Sequence, residues 1–185
     1  MRCTRLLGVA ALAVPLAVPA SPEDASSSWC EFGQRPGETF PAPRLNLPAW
    51  VCQSASAAKL HAKYTIYSGI NPFFLAGDFN GDGRLDVAVW VMDEKTHKLG
   101  LVMFHGGSTK VFVVAAGVPW EPKRVDDFSG LNMWSVLPKG TVLDSRYEKK
   151  RVRLKGDAIG LAKAESASFA LYWNGTAYSA YQLTD

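Results

Sequence analysis

Three short apolar runs lie close together in the middle of the chain and predict a β-meander. They cover residues 85–92, 99–104 and 110–115, and each has the length and the β-branched or aromatic content of a strand. The polar segments between them are too short for a parallel crossover, so neighbouring strands are expected to be antiparallel. Alternate residues of the first run point to opposite faces, and both faces are apolar. We therefore expect a central sheet that is covered on both sides.

A second β region is predicted near the C-terminus. The dipeptide Asn174-Gly175 is typical of a two-residue hairpin turn, and apolar runs over 168–173 and 178–183 flank it. Residues 158–161 predict a further short strand. The pattern as a whole predicts a mainly β fold, of the β-rich α+β class, with an antiparallel meander and a C-terminal hairpin.

The remaining segments give weaker patterns. A short helix is predicted over 56–63, with a serine as its N-cap. Residues 121–140 predict a long loop. Val152 and Leu154 alternate with basic residues, which predicts a half-exposed strand.

The first twenty residues have the composition of an export signal. Arg2 and Arg5 precede an apolar run over 6–18, which is too short to span a bilayer as a helix. Small residues at 18 and 20 predict cleavage before Ser21. We therefore expect an exported protein, periplasmic or extracellular, whose mature chain has no transmembrane segment. An uncleaved membrane anchor is the alternative.

Proline and serine dominate residues 21–48 and predict an extended arm, followed by one β-rich domain over 49–185. Cleavage would remove Cys3 and leave Cys30 and Cys52. An even number of cysteines in an exported chain favours a disulfide bond between them, although two buried free thiols would also fit.

The charge balance argues against a nucleic-acid-binding protein. The whole chain of 185 residues has a formal net charge of +3. Removal of the signal, with its two arginines, would leave the mature chain nearly neutral. Nucleic-acid-binding domains usually carry a marked basic excess.

The segment GDFNGDGRLDVA, residues 77–88, predicts a calcium loop. Oxygen-bearing side chains occur at positions 1, 3, 5 and 9 of the loop, namely Asp78, Asn80, Asp82 and Asp86. Gly83 stands where a loop around an ion must turn sharply, and Arg84 can offer its main-chain carbonyl. Calcium prefers six to eight hard oxygen ligands in flexible geometry, whereas magnesium demands a tight octahedron. An ordinary Asp/Asn/Gly turn is the alternative.

This loop differs from an EF-hand, because Val89 occupies the position of the bidentate glutamate. It resembles the FG-GAP/VCBS-type calcium loop DxNxDGxxD, which lies between two β-strands in integrin-like propeller blades. The resemblance covers about residues 74–115 and a single repeat. It implies side-chain ligands at Asp78, Asn80, Asp82 and Asp86 and the carbonyl of Arg84. The whole chain also resembles small exported bacterial proteins of unassigned role that carry one such loop and a YWNG-type hairpin.

Aromatic and basic residues are the candidates for a ligand surface. Trp120 and Trp134 could stack on a glycan or contact another protein, or they could pack in the core. Arg151 and Arg153 belong to a basic run that could contact an anionic partner, or could form a solvated strand face.

The sequence leaves three classes of function open. The first is an exported calcium-binding β-domain with a binding or structural role, in which calcium rigidifies the loop before a central strand. The second is a small secreted hydrolase that uses acidic residues such as Asp126 and Asp127 or Asp157 and Glu165. The third is a periplasmic inhibitor or immunity-type protein. No catalytic residue is predicted, since the sequence contains no GxSxG motif and no cluster of histidines.

Overall fold

A computed structural model describes residues 46–120 and 124–184 and confirms the mainly β, antiparallel fold. The predicted signal over 1–20, nearly all of the predicted arm over 21–48, and Cys30 lie outside the described residues. Within the described ranges, none of the helices has the length and apolar character needed to cross a bilayer.

The predicted meander forms the larger of two sheets. Its strands are β1 (Tyr64–Ile66), β2 (Phe74–Gly77), β3 (Asp86–Asp93), β4 (Leu99–Phe104) and β5 (Val111–Ala115). All pairs are antiparallel, and β3, β4 and β5 follow one another across the sheet. Both β1 and β2 pair with β3, β1 along its C-terminal part and β2 along its N-terminal part. β3 is therefore an interior strand over its whole length.

The second sheet contains the predicted C-terminal hairpin. Its strands run in the order β11 (Tyr178–Thr184), β10 (Ser168–Trp173), β9 (Ala158–Ala162) and β6 (Met133–Leu137), all antiparallel. Two further strands, β7 (Val142–Leu143) and β8 (Val152–Arg153), form a separate ribbon. The predicted strand around Val152 is thus only two residues long.

Strand β3 has a different cover on each of its two faces, as its sequence predicts. Val87, Val89 and Val91 pack against the helical segment near the start of the described chain. Ala88 and Trp90 pack against the second sheet. These five side chains are fully buried. The apolar character of both faces of β3 follows from this sandwiched position.

The helix lies earlier in the chain than the sequence predicts. The structure has α1 (Ala49–Ala57) and a short 3₁₀ turn (Leu60–Ala62), whereas the prediction was a helix over 56–63, which is wrong in its position. Pro48 precedes the first helical residue, and Lys59 has a left-handed backbone that ends the helical segment before the turn. Burial of Val51 and Ala55, one turn apart, determines the face that packs on the sheet.

The predicted long loop over 121–140 is also partly wrong, because it contains β6. This strand pairs with β9 and completes the second sheet. Trp134 points into the core between the sheets, while Met133 on the other face is 54% exposed. One long-range pairing, which sequence periodicity does not report, therefore turns this segment into a strand.

The turn after β3 depends on one buried carboxylate. Asp93 accepts hydrogen bonds from the amides of Lys95 and Thr96, at 3.0 and 2.8 Å, and from the Thr96 hydroxyl. The Thr96 amide is the main reason that the pKa of Asp93 lies below its ordinary value. Lys63 adds an ion pair at 3.8 Å.

Replacement of Asp93 by alanine should reduce the free energy of unfolding near neutral pH by about 2 kcal/mol, since amide bonds to a charged acceptor are lost. Because the folded-state pKa is depressed, this stabilisation is present above the ordinary pKa and is lost as the pH falls through the folded value. Urea unfolding at neutral and acidic pH measures both effects, with Asp144→Ala as an exposed control. Equal stability of wild type and Asp93→Ala at neutral pH would contradict this role.

Candidate metal-binding loop

The glycine-rich loop is the connection between β2 and β3. The last paired residues of this hairpin are Gly77 and Asp86, so residues 78–85 form the loop itself. Gly81 and Gly83 both have positive φ, of 80° and 84°. L-residues rarely adopt this conformation, so the sharp turn predicted at Gly83 is present and requires glycine there.

Asn80 and Asp82 shape the exposed tip of the loop. Asn80 Oδ1 accepts a hydrogen bond from the Asp82 amide at 2.9 Å, and its Nδ2 donates to Asp82 Oδ2 at 3.0 Å. Asp82 Oδ1 accepts from the amide of Arg84 at 2.8 Å. This last bond is the main cause that lowers the pKa of Asp82, so the carboxylate is charged at neutral pH.

Asp86 lies at the buried end of the loop and connects it to the next turn. The residue is fully buried, and burial raises the pKa of its carboxyl group. Two amides oppose that effect by donating to the carboxylate, Gly106 at 2.8 Å and Asn80 at 3.0 Å. Gly106 belongs to the turn between β4 and β5, so Asp86 connects the loop to that neighbouring turn of the meander.

Asp78 has an unusual environment for a carboxylate. Its Oδ1 atom is buried and has no hydrogen-bond partner. Its Oδ2 lies 3.4 Å from the ammonium nitrogen of Lys139, with which it forms an ion pair. A buried carboxylate oxygen without a donor is costly, and each such atom requires an explanation.

Asp157 and Gly156 hold the loop against the second sheet, although no sequence pattern assigns them to the loop. The Asp157 carboxylate accepts from the amides of Asp78 and Lys139, at 2.9 and 2.8 Å. Its own amide donates to the Asp78 carbonyl at 2.7 Å. A Cβ on Gly156 would lie 2.5 Å from that carbonyl oxygen, so only glycine allows this approach. The Gly-Asp pair reads in sequence as a simple turn, and no local pattern indicates its contact with Asp78.

The predicted ligands are thus only partly brought together. Within residues 46–120 and 124–184, no three His, Cys, Asp or Glu side chains form a group arranged to hold a metal ion. Main-chain amides instead donate hydrogen bonds to the side-chain oxygens of Asn80, Asp82 and Asp86. The guanidinium of Arg84 lies against Gly107. A Cβ added to Gly107 would be only 2.0 Å from Nη1 of Arg84.

A buried histidine lies beside the loop. His105 Nε2 is 2.7 Å from the hydroxyl of Tyr178, and its ring packs on Phe112 and Trp173. Burial lowers the pKa of His105, while the nearby charge of Asp86 opposes that shift. His105 therefore belongs to the core beneath the loop.

The candidate ligand-surface residues fall into two groups. Trp120 and Trp134 are 9% and 6% exposed, and their indole nitrogens donate to the carbonyls of Tyr178 and Pro72. Both residues therefore contribute chiefly to the core. Arg151 is exposed and pairs with Asp144 at 2.5 Å.

Arg153, also exposed, donates to the carbonyl of Gly140 at 3.0 Å.

Cys52 lies in α1, and the Cys30–Cys52 bond stays a prediction because Cys30 is outside the described residues.

Comparison with family models, with curated proteins and with solved structures gives no match to this chain.

Proposed function

We propose that this chain is an exported calcium-binding β-domain with a binding or structural role, and that calcium rigidifies the loop before the central strand β3. The observation that carries the proposal is the buried, unpartnered Oδ1 of Asp78 at the first ligand position of the loop. A cation would supply the positive partner that this oxygen lacks.

The chemistry of the loop fits calcium. Its donors are hard oxygens, and the residues that would hold the ion are Asp78, Asn80, Asp82, Asp86 and the carbonyl of Arg84. The tip is exposed, and the hydrogen bonds of Asn80 and Asp82 lie within the loop. These side chains can therefore exchange amide partners for an ion without disturbing the sheets. The position of the loop between two antiparallel strands also supports an FG-GAP/VCBS-type assignment.

The contacts of the loop explain why an ion there would stabilise more than the loop itself. Asp86 is bonded to the turn after β4 through Gly106. Asp78 is bonded to the turn before β9 through Asp157. An ion held between Asp78 and Asp86 would connect the meander to the second sheet, which is a structural role.

The hydrolase alternative gains no support from the acidic residues. A general acid requires a carboxyl group of raised pKa in an accessible cleft. Within residues 46–120 and 124–184, the carboxyl group of Asp86 has a raised pKa, but it is fully buried. Asp126 pairs with Lys98, and Asp127 accepts hydrogen bonds from Leu99 and Ser129. No observation favours the inhibitor or immunity-type alternative over the calcium domain.

Export and the Cys30–Cys52 bond form part of the same proposal. The disulfide would anchor the arm on α1, at the face of the meander opposite to the second sheet. Mass analysis of the mature protein under non-reducing conditions tests both the cleavage before Ser21 and the bond.

Thermal unfolding in calcium and in chelator tests the calcium claim. A ligand that binds only the folded state stabilises it by about 2.7 kcal/mol at a hundredfold excess over its dissociation constant. For a domain of this size that corresponds to a rise in Tm of about 5–10 °C. Magnesium should give a much smaller rise, because it needs a rigid octahedral site. An identical Tm in calcium and in chelator would refute the proposal.

A further inference from the structure

A cavity of about 330 Å³ opens beside Trp120, away from the glycine-rich loop. We call it the Trp120 cavity. Trp120, Phe128 and Leu131 line one part of it, and the turn between β9 and β10 contributes Lys163 and Ala167. Its size lies within the range of small-molecule sites in proteins.

Three aromatic rings form a fixed wall of the Trp120 cavity. The ring of Trp120 lies 6.1 Å from that of Phe128 and 6.2 Å from that of Phe169, and Phe128 and Phe169 are 5.8 Å apart. The Trp120 indole N–H donates to the Tyr178 carbonyl at 2.9 Å. Neighbouring rings and this hydrogen bond hold the indole in place. A ligand would therefore meet a preformed apolar surface, and its binding would lose little free energy to the ordering of protein side chains.

The polar groups at the rim indicate the charge of the ligand. Lys163 is exposed, and within residues 46–120 and 124–184 it makes no ion pair. Asp127 also lines the Trp120 cavity. Its carboxylate accepts hydrogen bonds from the amides of Leu99 and Ser129 and from the Ser129 hydroxyl. The charge of Asp127 is therefore compensated within the protein, whereas the ammonium of Lys163 is available to an anion.

The lining favours a ligand with an apolar face. Trp120, Phe128 and Phe169 offer no hydrogen-bonding group to a ligand through their ring faces, so polar groups buried against them would lack partners. One apolar ring system with one anionic group matches both the wall and the rim.

We propose that the Trp120 cavity binds a small planar aromatic carboxylate, with the ring against the wall of Trp120, Phe128 and Phe169 and the carboxylate at Lys163. This site is independent of the calcium loop, and it requires neither calcium nor export.

Calorimetric titration with indole-3-acetate and with its neutral amide, indole-3-acetamide, tests the proposal on the folded mature protein. We expect saturable, sub-millimolar binding of the acid and binding of the amide that is about tenfold weaker or more. Amide NMR signals of residues 124–131 and 163–169 should shift on titration with the acid.

Two variants and one control separate the parts of the site. Lys163→Gln should reduce affinity for the acid to that for the amide, while Lys149→Gln, another exposed lysine, should leave it unchanged. Ala167→Trp should fill the Trp120 cavity and abolish binding of both probes. Absence of saturable binding to wild type, equal affinity for acid and amide, or unchanged affinity in Lys163→Gln would each overturn the proposal. The last result does not depend on whether Ala167→Trp folds.

Discussion

Replacement of Trp90 by alanine should lower the free energy of unfolding by about 3–5 kcal/mol, the largest loss that we expect from one side chain. Trp90 is fully buried on the face of β3 that meets the second sheet. Its ring makes edge contacts with Trp134 at 5.6 Å and with Phe128 at 6.2 Å. Alanine would leave a cavity between the sheets, which a packed core cannot fill.

Urea unfolding measures this loss, and two further variants serve as controls. Trp90→Phe should cost less than Trp90→Ala, because the Trp90 indole N–H has no hydrogen-bond partner to lose. Met133→Ala, at a side chain that is 54% exposed, should change the free energy by no more than about 0.5 kcal/mol. A loss for Trp90→Ala no larger than that of Met133→Ala would contradict the packing of β3 on the second sheet.

Asp82→Ala should remove most of the calcium-dependent rise in Tm, which we expect to be about 5–10 °C in the wild-type protein. The substitution removes a charged carboxylate ligand from the centre of the loop. Its hydrogen bonds are confined to the exposed tip, with Asn80 and Arg84. The variant should therefore unfold close to the wild-type temperature in chelator and differ from wild type only when calcium is present.

Asp144→Ala is the matched control for that experiment. Asp144 is an exposed carboxylate outside the loop and pairs only with Arg151 among the ion pairs of the described residues. Its calcium response should equal that of wild type. A full calcium response in Asp82→Ala, or an equal loss in Asp144→Ala, would contradict the assignment of Asp82 as a ligand.

The central strands could be predicted from the sequence because their signal is local. The run that became β3 is apolar on both faces, and that pattern is typical of a strand that is covered on both sides. The C-terminal hairpin was likewise predicted, although the centre of its turn lies one residue later than Asn174-Gly175. The amide of Asn174 donates to the Ala177 carbonyl at 3.0 Å, so Gly175 and Thr176 are the central residues, and Gly175 has the positive φ that the turn needs.

The missed elements depend on contacts between distant residues. β6 exists because Met133–Leu137 pairs with Ala158–Ala162, far along the chain. The position of α1 follows from burial of Val51 and Ala55 against the meander, while the prediction relied on a serine cap. Tertiary packing outweighs local propensity in both cases.

The loop shows the same division between local and distant determinants. The positions of Asp78, Asn80, Asp82 and Asp86 predict the chemistry of the loop, and the turn at Gly83 is where the spacing requires it. The contacts that set the environment of Asp78 come from Lys139 and Asp157, which are distant in sequence. A sequence pattern can propose the ligands, but only the fold identifies the groups that hold or compete for them.

Isothermal titration of the chelator-treated mature protein with calcium measures directly whether the loop between β2 and β3 binds the ion. We expect saturable binding of one calcium ion per chain, lost in Asp82→Ala and retained in Asp144→Ala. Absence of saturable binding to the wild-type protein, or equal binding by wild type and Asp82→Ala, would contradict it.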